Sequence, residues 1–231
     1  MPLVLHKTIF LKRYKRFLSD ILMEEQVTTV HCPNSGSMKG LTLEGSTCWI
    51  SHSSNPERKL KYTLELIESE GTLVGINTHR TNHIAYQALK EKKVPELSSY
   101  SQIKREVPYR SSRIDFLLTE AGQPDAYVEV KNVTLKENKY ALFPDAPTSR
   151  GTKHLLDLIQ LKTEGHRAII FYVIQRNDCE KFSIANKIDP LYCETLEKAM
   201  QCGVEVLAYQ CNVTPLDIVL ERPIPLDLDF K

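Results

Sequence analysis

The chain has 231 residues, 42% of them apolar and 26% charged, with a net charge of +1. That is the composition of an ordinary globular protein of one large or two small domains, with few glycines and no low-complexity tract. No apolar run approaches the roughly 20 residues that cross a membrane, and the opening residues lack the apolar core and small-residue cleavage site of a secretory signal, so the expected place is the cytoplasm, with no membrane partner.

Cys32, Cys48, Cys179, Cys193, Cys202 and Cys211 form no C-x-x-C pair. Neither a zinc site nor a disulfide framework is indicated, and buried thiols are the simpler expectation. The near-zero net charge neither favours nor excludes nucleic acid, because a binding face needs only local positive charge.

Residues 3–80 read as β-rich. Apolar–polar mixtures at Leu3–Leu11 and Tyr14–Leu22 are followed at short spacing by Gln26–Cys32, Thr47–His52, Lys61–Glu68 and Thr72–Asn77. Turn signals separate them at Pro33-Asn34, Glu44-Gly45, Asn55-Pro56 and Glu70-Gly71. About five or six short strands in this length suggest a small barrel. The opening also carries Lys7, Lys12, Arg13, Lys15 and Arg16 with no acid before Asp20, and Tyr14 and Phe17 are interleaved. Basic groups that follow phosphates, beside aromatics on which bases stack, suit a nucleic-acid surface. A solvated edge strand protected by Lys and Arg would look the same. His31 to Met38 (His-Cys-Pro-Asn-Ser-Gly-Ser-Met) is a dense polar turn that local turn chemistry can also explain.

After Asn77 the pattern changes. Asn82–Lys92 has helical spacing and Val94-Pro95 ends it. Ile103–Tyr109 reads as a strand. Ile114–Leu118 and Ala126–Val133 flank a turn with Gly122, Pro124 and Asp125, which predicts a β-hairpin. Residues 134–149 read as a long connection, and Thr148-Ser149 caps a helix from about Arg150 to Lys162. The unbroken apolar run Arg167–Gln175 predicts a strand covered on both faces. A helix at Pro190–Cys202 and a strand at Val204–Tyr209 follow. The order α-β-β-β-α-β-α-β places a domain boundary near residues 78–82, with 1–80 a barrel and 81–231 an α/β domain containing a mixed sheet.

The hairpin carries charge where apolar residues are expected: Asp115 on its first strand, Glu129 and Lys131 on its second. Residues two apart share a strand face. Asp115 and Glu129 can hold a hard divalent ion, Mg²⁺ or Mn²⁺, through oxygen. Such an ion acidifies a bound water, and Lys131 can orient that water and neutralise developing charge. A surface salt bridge is the plain alternative. Asp125 is a poorer partner, because four residues along one strand separate it from Glu129 by roughly 13 Å. Glu106 is a third candidate acid, although Lys104 and Arg105 beside it suit a surface charge. Arg150 and Lys153 at a helix N-terminus could hold a phosphate, or serve only as solvated residues on a capped helix.

Taken together, these strings resemble the sugar fermentation stimulation protein family (SfsA). The matching stretches are Tyr14–Leu18, His31–Met38, Ser112–Phe116, Tyr127–Leu135, Phe143–Ala146 and Arg150–Leu155. The resemblance implies an N-terminal OB-like barrel and a C-terminal PD-(D/E)-x-K nuclease-like domain, an α+β arrangement overall. It also implies sequence-independent DNA binding and a part in regulating sugar, notably maltose, utilisation. Metal-dependent DNA cleavage at Asp115, Glu129 and Lys131 is the alternative it suggests, and a homo-oligomer is compatible with it. Two positions depart from the family pattern. Gln87 stands where relatives often have Glu in the helix after Asn82, and Ser149 where they often have Glu before Arg-Gly. Each removes a carboxylate that could serve a third ligand or a second metal.

Overall fold

In the computed structural model, residues 4–228 and 230 are described. Leu3, the expected start of the first strand, lies outside them. Strand β1 (Leu5–Tyr14) pairs antiparallel with both β2 (Leu18–Met23) and β4 (Thr47–His52). β3 (Gln26–His31) continues antiparallel from β2, and β5 (Tyr62–Ser69) from β4. A parallel pairing of β3 with β5 at His31↔Thr63 closes the ring into a five-stranded OB barrel. Phe10, Ile21, Val30, Ile50, Leu64 and Ile67 fill its interior. β6 (Thr72–Gly75) extends from β5 towards the second domain. There the Gly75 N–H donates to the Gln175 carbonyl at 2.8 Å. A Cβ on Gly75 would overlap the Gln175 side-chain amide, so a larger residue there would force that amide to move.

A short 3-10 turn (Thr78–Arg80) leads into helix α1 (Thr81–Lys90). The second domain then runs β7 (Gln102–Tyr109), β8 (Ser112–Thr119), β9 (Ala126–Val133), β10 (Leu135–Glu137), β11 (Tyr140–Phe143), α2 (Ser149–Thr163), β12 (Arg167–Ile174), β13 (Lys181–Ile184), α3 (Pro190–Gln201), β14 (Glu205–Val213) and β15 (Ile218–Pro223). Its main sheet has the order β15-β14-β12-β9-β8-β7. β9, β12 and β14 run parallel and the outer pairings are antiparallel, which is the expected mixed sheet. With β10 and β11 set aside, α1-β7-β8-β9-α2-β12 follows the α-β-β-β-α-β order that the sequence predicts.

β12 is the anchor of this sheet. Ala168 to Ile174 are all fully buried, and each large apolar side chain contributes roughly 1.5–3 kcal/mol over exposure. β8 alternates, with Ile114, Phe116 and Leu118 buried and the residues between them more open. That period of two turns Asp115 away from Phe116. α1 and the barrel's Trp49 and Leu66 cover one sheet face. α2 and α3 cover the other, through Leu155, Leu158, Leu161, Tyr192 and Leu196.

The stretch 134–149 is more than a connection. β10 and β11 form an antiparallel pair, and β11 runs parallel to β13, giving a second, three-stranded sheet. At three and four residues, these strands are too short for periodicity to reveal. β15 is likewise absent from the sequence pattern. Among the described residues no helix is long and apolar enough to cross a membrane. Cys32, Cys48, Cys179 and Cys211 are buried, and Cys202 is exposed.

Candidate metal centre and nucleic-acid interface

The site forms where β8 and β9 part. Their pairing ends at Phe116↔Val128; one step further along that register, Asp115 faces Glu129. The N–H of Val130 donates instead to Asp115 Oδ2 at 2.7 Å. Asn82, in the first turn of α1, donates to Asp115 Oδ1 at 2.6 Å. Both Asp115 oxygens are therefore fixed, one by the sheet and one by the helix.

Glu129 is 2% exposed. Its Oε1 accepts from Lys131 Nζ at 2.7 Å and bonds His154 Nδ1 on α2. Its Oε2 is buried and has no protein hydrogen-bond partner. Lys131 Nζ also lies 3.2 Å from His154 Nδ1, and Arg150 Nε lies 3.4 Å from His154 Nε2. Arg150 and His154 are one helical turn apart, so they share a face of α2. Thr148 caps that helix by accepting from the Gly151 N–H at 3.0 Å.

The two carboxylates differ electrostatically. Burial, and then the charge of Glu129, push the Asp115 carboxyl up to about 6. Burial also pushes Glu129 up, but the Lys131 ammonium and the His154 and Lys131 hydrogen bonds more than offset it, leaving Glu129 below its ordinary value. One carboxylate is compensated and its neighbour is not, which is the electrostatic condition a cation relieves. Two carboxylates are hard oxygen donors suited to Mg²⁺, Mn²⁺ or Ca²⁺. Among the described residues no group of three or more His, Cys, Asp or Glu side chains could hold a metal ion. An ion held by these two carboxylates alone would fill its remaining positions with other oxygen ligands such as water.

These groups open on an interdomain cleft of about 600 Å³, which Arg16, Asn34, Thr78, Asp145, Ser149 and Arg150 also line. Its barrel wall is the 33–38 turn. Arg13 holds that turn with its whole guanidinium: Nη2 donates to the Asn34 carbonyl at 2.7 Å, Nη1 to those of Gly36 and Ser37 at 2.9 and 3.1 Å, and Nε to that of Arg16 at 3.0 Å. The turn locks onto the second domain through Asp145. Asp145 Oδ2 accepts from the Met38 N–H at 3.0 Å, and its carbonyl from Ser37 Oγ at 2.6 Å. A Cβ on Gly36 would overlap the Asp145 carboxylate.

Asp115, Glu129 and Lys131 are brought together as the hairpin pattern predicts. The basic residues are divided. Arg13 is structural. Lys12 is exposed, 3.5 Å from Asp20, with its ammonium over the Tyr14 ring. Lys15 and Arg16 occupy the β1–β2 turn in left-handed conformation, φ 45° and 64°. Arg16 faces the cleft, donates to the Ser35 carbonyl at 3.2 Å and stacks over Phe17. Arg150 faces the cleft, whereas Lys153 is exposed outside its lining and donates to the Ser111 carbonyl at 3.2 Å. Gln87 lines a different cavity, beside Ile84, Glu91 and Leu216. Glu106 is a surface charge, 4.0 Å from Arg113. Sequence reasoning assigned no role to Asn82 or His154; for His154 the available signal was its spacing of four from Arg150 on a predicted helix.

Family models match both halves of the chain. One, described as the sugar fermentation stimulation protein RE domain, covers residues 79–217, and one, described as the SfsA N-terminal OB domain, covers 11–76. A sugar fermentation stimulation protein homolog of Geobacter metallireducens is 48% identical over 232 residues, covering 99% of each chain. That of Magnetococcus marinus is 45% identical over 228 residues, covering 98% of each. The solved structure of Pyrococcus furiosus SfsA in complex with Ca²⁺ is 28% identical with a TM-score of 0.89, covering 98% of this chain and 99% of that one.

Proposed function

The chain belongs to the sugar fermentation stimulation protein family, and from that premise we propose that it binds DNA without sequence preference in the interdomain cleft, in the cytoplasm, around a divalent cation held by Asp115 and Glu129. One observation carries this reading: Glu129 Oε2 is buried without a protein partner beside a second carboxylate raised to about 6. A buried charged oxygen without a hydrogen bond is costly, and a cation bridging to a phosphate removes that cost. The Ca²⁺ of the Pyrococcus furiosus relative supports a divalent ion of the same class. Mg²⁺ or Mn²⁺ is the expected resident.

The chain's own groups supply the rest of the site. Arg16 and Arg150 offer charge to phosphate oxygens from opposite walls of the cleft. Phosphate contacts position a duplex or strand without reading bases, which suits sequence-independent binding. Regulation of sugar, notably maltose, utilisation would then act through DNA occupancy.

A second reading, phosphodiester cleavage, is favoured by Lys131, whose ammonium is 2.7 Å from Glu129 Oε1 at the cleft. When bound, the ion would acidify a water and withdraw charge from the phosphate. Lys131 would orient that water and neutralise charge on the reacting oxygens, while Asn82 and the Val130 N–H hold Asp115 in place.

The test is purified protein with plasmid and single-stranded DNA, with Mn²⁺ or chelator, beside Lys131→Ala. Binding should weaken steeply with salt through counterion release. Undetectable or salt-independent association would overturn the binding reading. Absence of Mn²⁺-dependent nicking by the intact protein would remove the cleavage reading and leave binding standing.

A further inference from the structure

We infer that His154 is a positioning residue, whose Nδ1–H fixes which oxygen of Glu129 remains for the cation. The inference rests on the cation-binding reading above. His154 is 5% exposed, on the face of α2 that covers the carboxylates. A buried imidazole needs partners for both ring nitrogens, and a neutral ring carries only one N–H. The hydrogen-bond network assigns that proton. Nδ1 meets Glu129 Oε1, which as a carboxylate oxygen only accepts, and it lies 3.2 Å from Lys131 Nζ, a donor whose nearer acceptor is that same Oε1 at 2.7 Å. Nε2 meets Arg150 Nε at 3.4 Å, which only donates. The proton therefore sits on Nδ1, and the lone pair on Nε2 faces Arg150.

The consequence falls on Glu129. Oε1 has two acceptor directions, and Lys131 Nζ and His154 Nδ1 take both. Two donors converging from β9 and α2 onto one oxygen fix the plane of the carboxylate. Oε2 is the oxygen left over, and it is the one that is buried and unpartnered. Without the imidazole, Lys131 alone holds Oε1 and the carboxylate is free to turn about its last torsion. The same ring presents its lone pair to Arg150 and so orders a guanidinium at the cleft wall. His154 thereby ties the oxygen that takes the cation to the arginine offered to phosphate.

A merely space-filling role would give none of this directionality. His154→Asn keeps an amide donor near the Nδ1 position. His154→Gln carries its amide out towards the Nε2 position and leaves Glu129 without that donor. Both are read by calorimetric titration of the DNA-free protein with Mn²⁺, with urea midpoints in chelator alongside. Loss of an outer-shell partner typically weakens a metal by about 10–100-fold, and that is the loss expected of His154→Gln, with His154→Asn close to the intact protein. Nitrogen chemical shifts of the imidazole should show Nδ1 protonated in the chelated protein. Equal Mn²⁺ affinity for the intact protein and His154→Gln, or an Nε2–H tautomer, overturns the inference while the cation reading stands. If His154→Asn does not fold, His154→Gln against the intact protein still decides. If the intact protein binds Mn²⁺ no better than Asp115→Asn and Glu129→Gln, the cation reading fails first and the inference with it.

Discussion

The two walls of the cleft are built on opposite principles. On the barrel side, backbone carbonyls of the 33–38 turn are saturated by an arginine, and the turn is locked to Asp145. On the sheet side, carboxylates are crowded together and one oxygen has no protein partner. The polar groups of the turn are answered within the protein, whereas Glu129 Oε2 is not. Formal charge does not distinguish them: Arg13 is as cationic as Lys131, yet every nitrogen of Arg13 faces a carbonyl of its own domain. Whether a charge is available for a ligand depends on its neighbours, and this contrast can be broken by removing one cation from each wall.

The largest effect is expected on the sheet side. Lys131→Met leaves Glu129 buried without its ammonium, and breaking a buried pair typically costs about 3–5 kcal/mol. Urea unfolding in chelator should show a loss of that order, and Mn²⁺ should restore part of it. Unchanged stability would mean that His154 alone compensates the carboxylate.

The next effect sharpens the difference between the two carboxylates. The Asp115 carboxyl is raised from 3.8 to about 6. Between those values the folded chain holds a proton that the unfolded chain releases, so folding takes up protons and stability falls as pH rises. The fall should run from about pH 4 to 6 and level off above. Its size is on the order of 3 kcal/mol for a carboxyl so placed. In chelator, the stability of the intact protein relative to Asp115→Asn should decline across that window. A flat difference would show that Glu129 and burial do not burden Asp115.

Much of this was legible in the sequence. The fold class followed from strand spacing in the first 80 residues and from the unbroken apolar run that became β12. The cluster of Asp115, Glu129 and Lys131 followed from charges two apart on a strand that should bury apolar residues. The three-stranded sheet escaped because Leu135–Glu137 offers a single apolar residue, and its pairing with β11, like that of β11 with β13, is set by tertiary context. The arginine clamp escaped for a different reason. Nothing local to Arg13 shows that carbonyls more than 20 positions away will surround it. Family resemblance marked Arg150–Leu155 as significant without separating cleft-facing Arg150 from outward Lys153, a distinction the pitch of α2 makes once its capping is known.

The smallest effects separate cations within one basic run. Arg13→Ala removes charge-assisted bonds to four carbonyls, and should cost roughly 1.5–3 kcal/mol of stability. Lys15→Ala, in the exposed β1–β2 turn, should change stability by no more than about 0.5 kcal/mol. DNA binding measured against salt reverses the order. Lys15 is free to approach a phosphate, so its loss should reduce the slope of log K against log salt by about 1. Arg13 contacts only its own turn, so its loss should weaken binding at every salt concentration with the slope unchanged. A shallower slope for Arg13→Ala would mean that the clamp opens to phosphate when DNA enters.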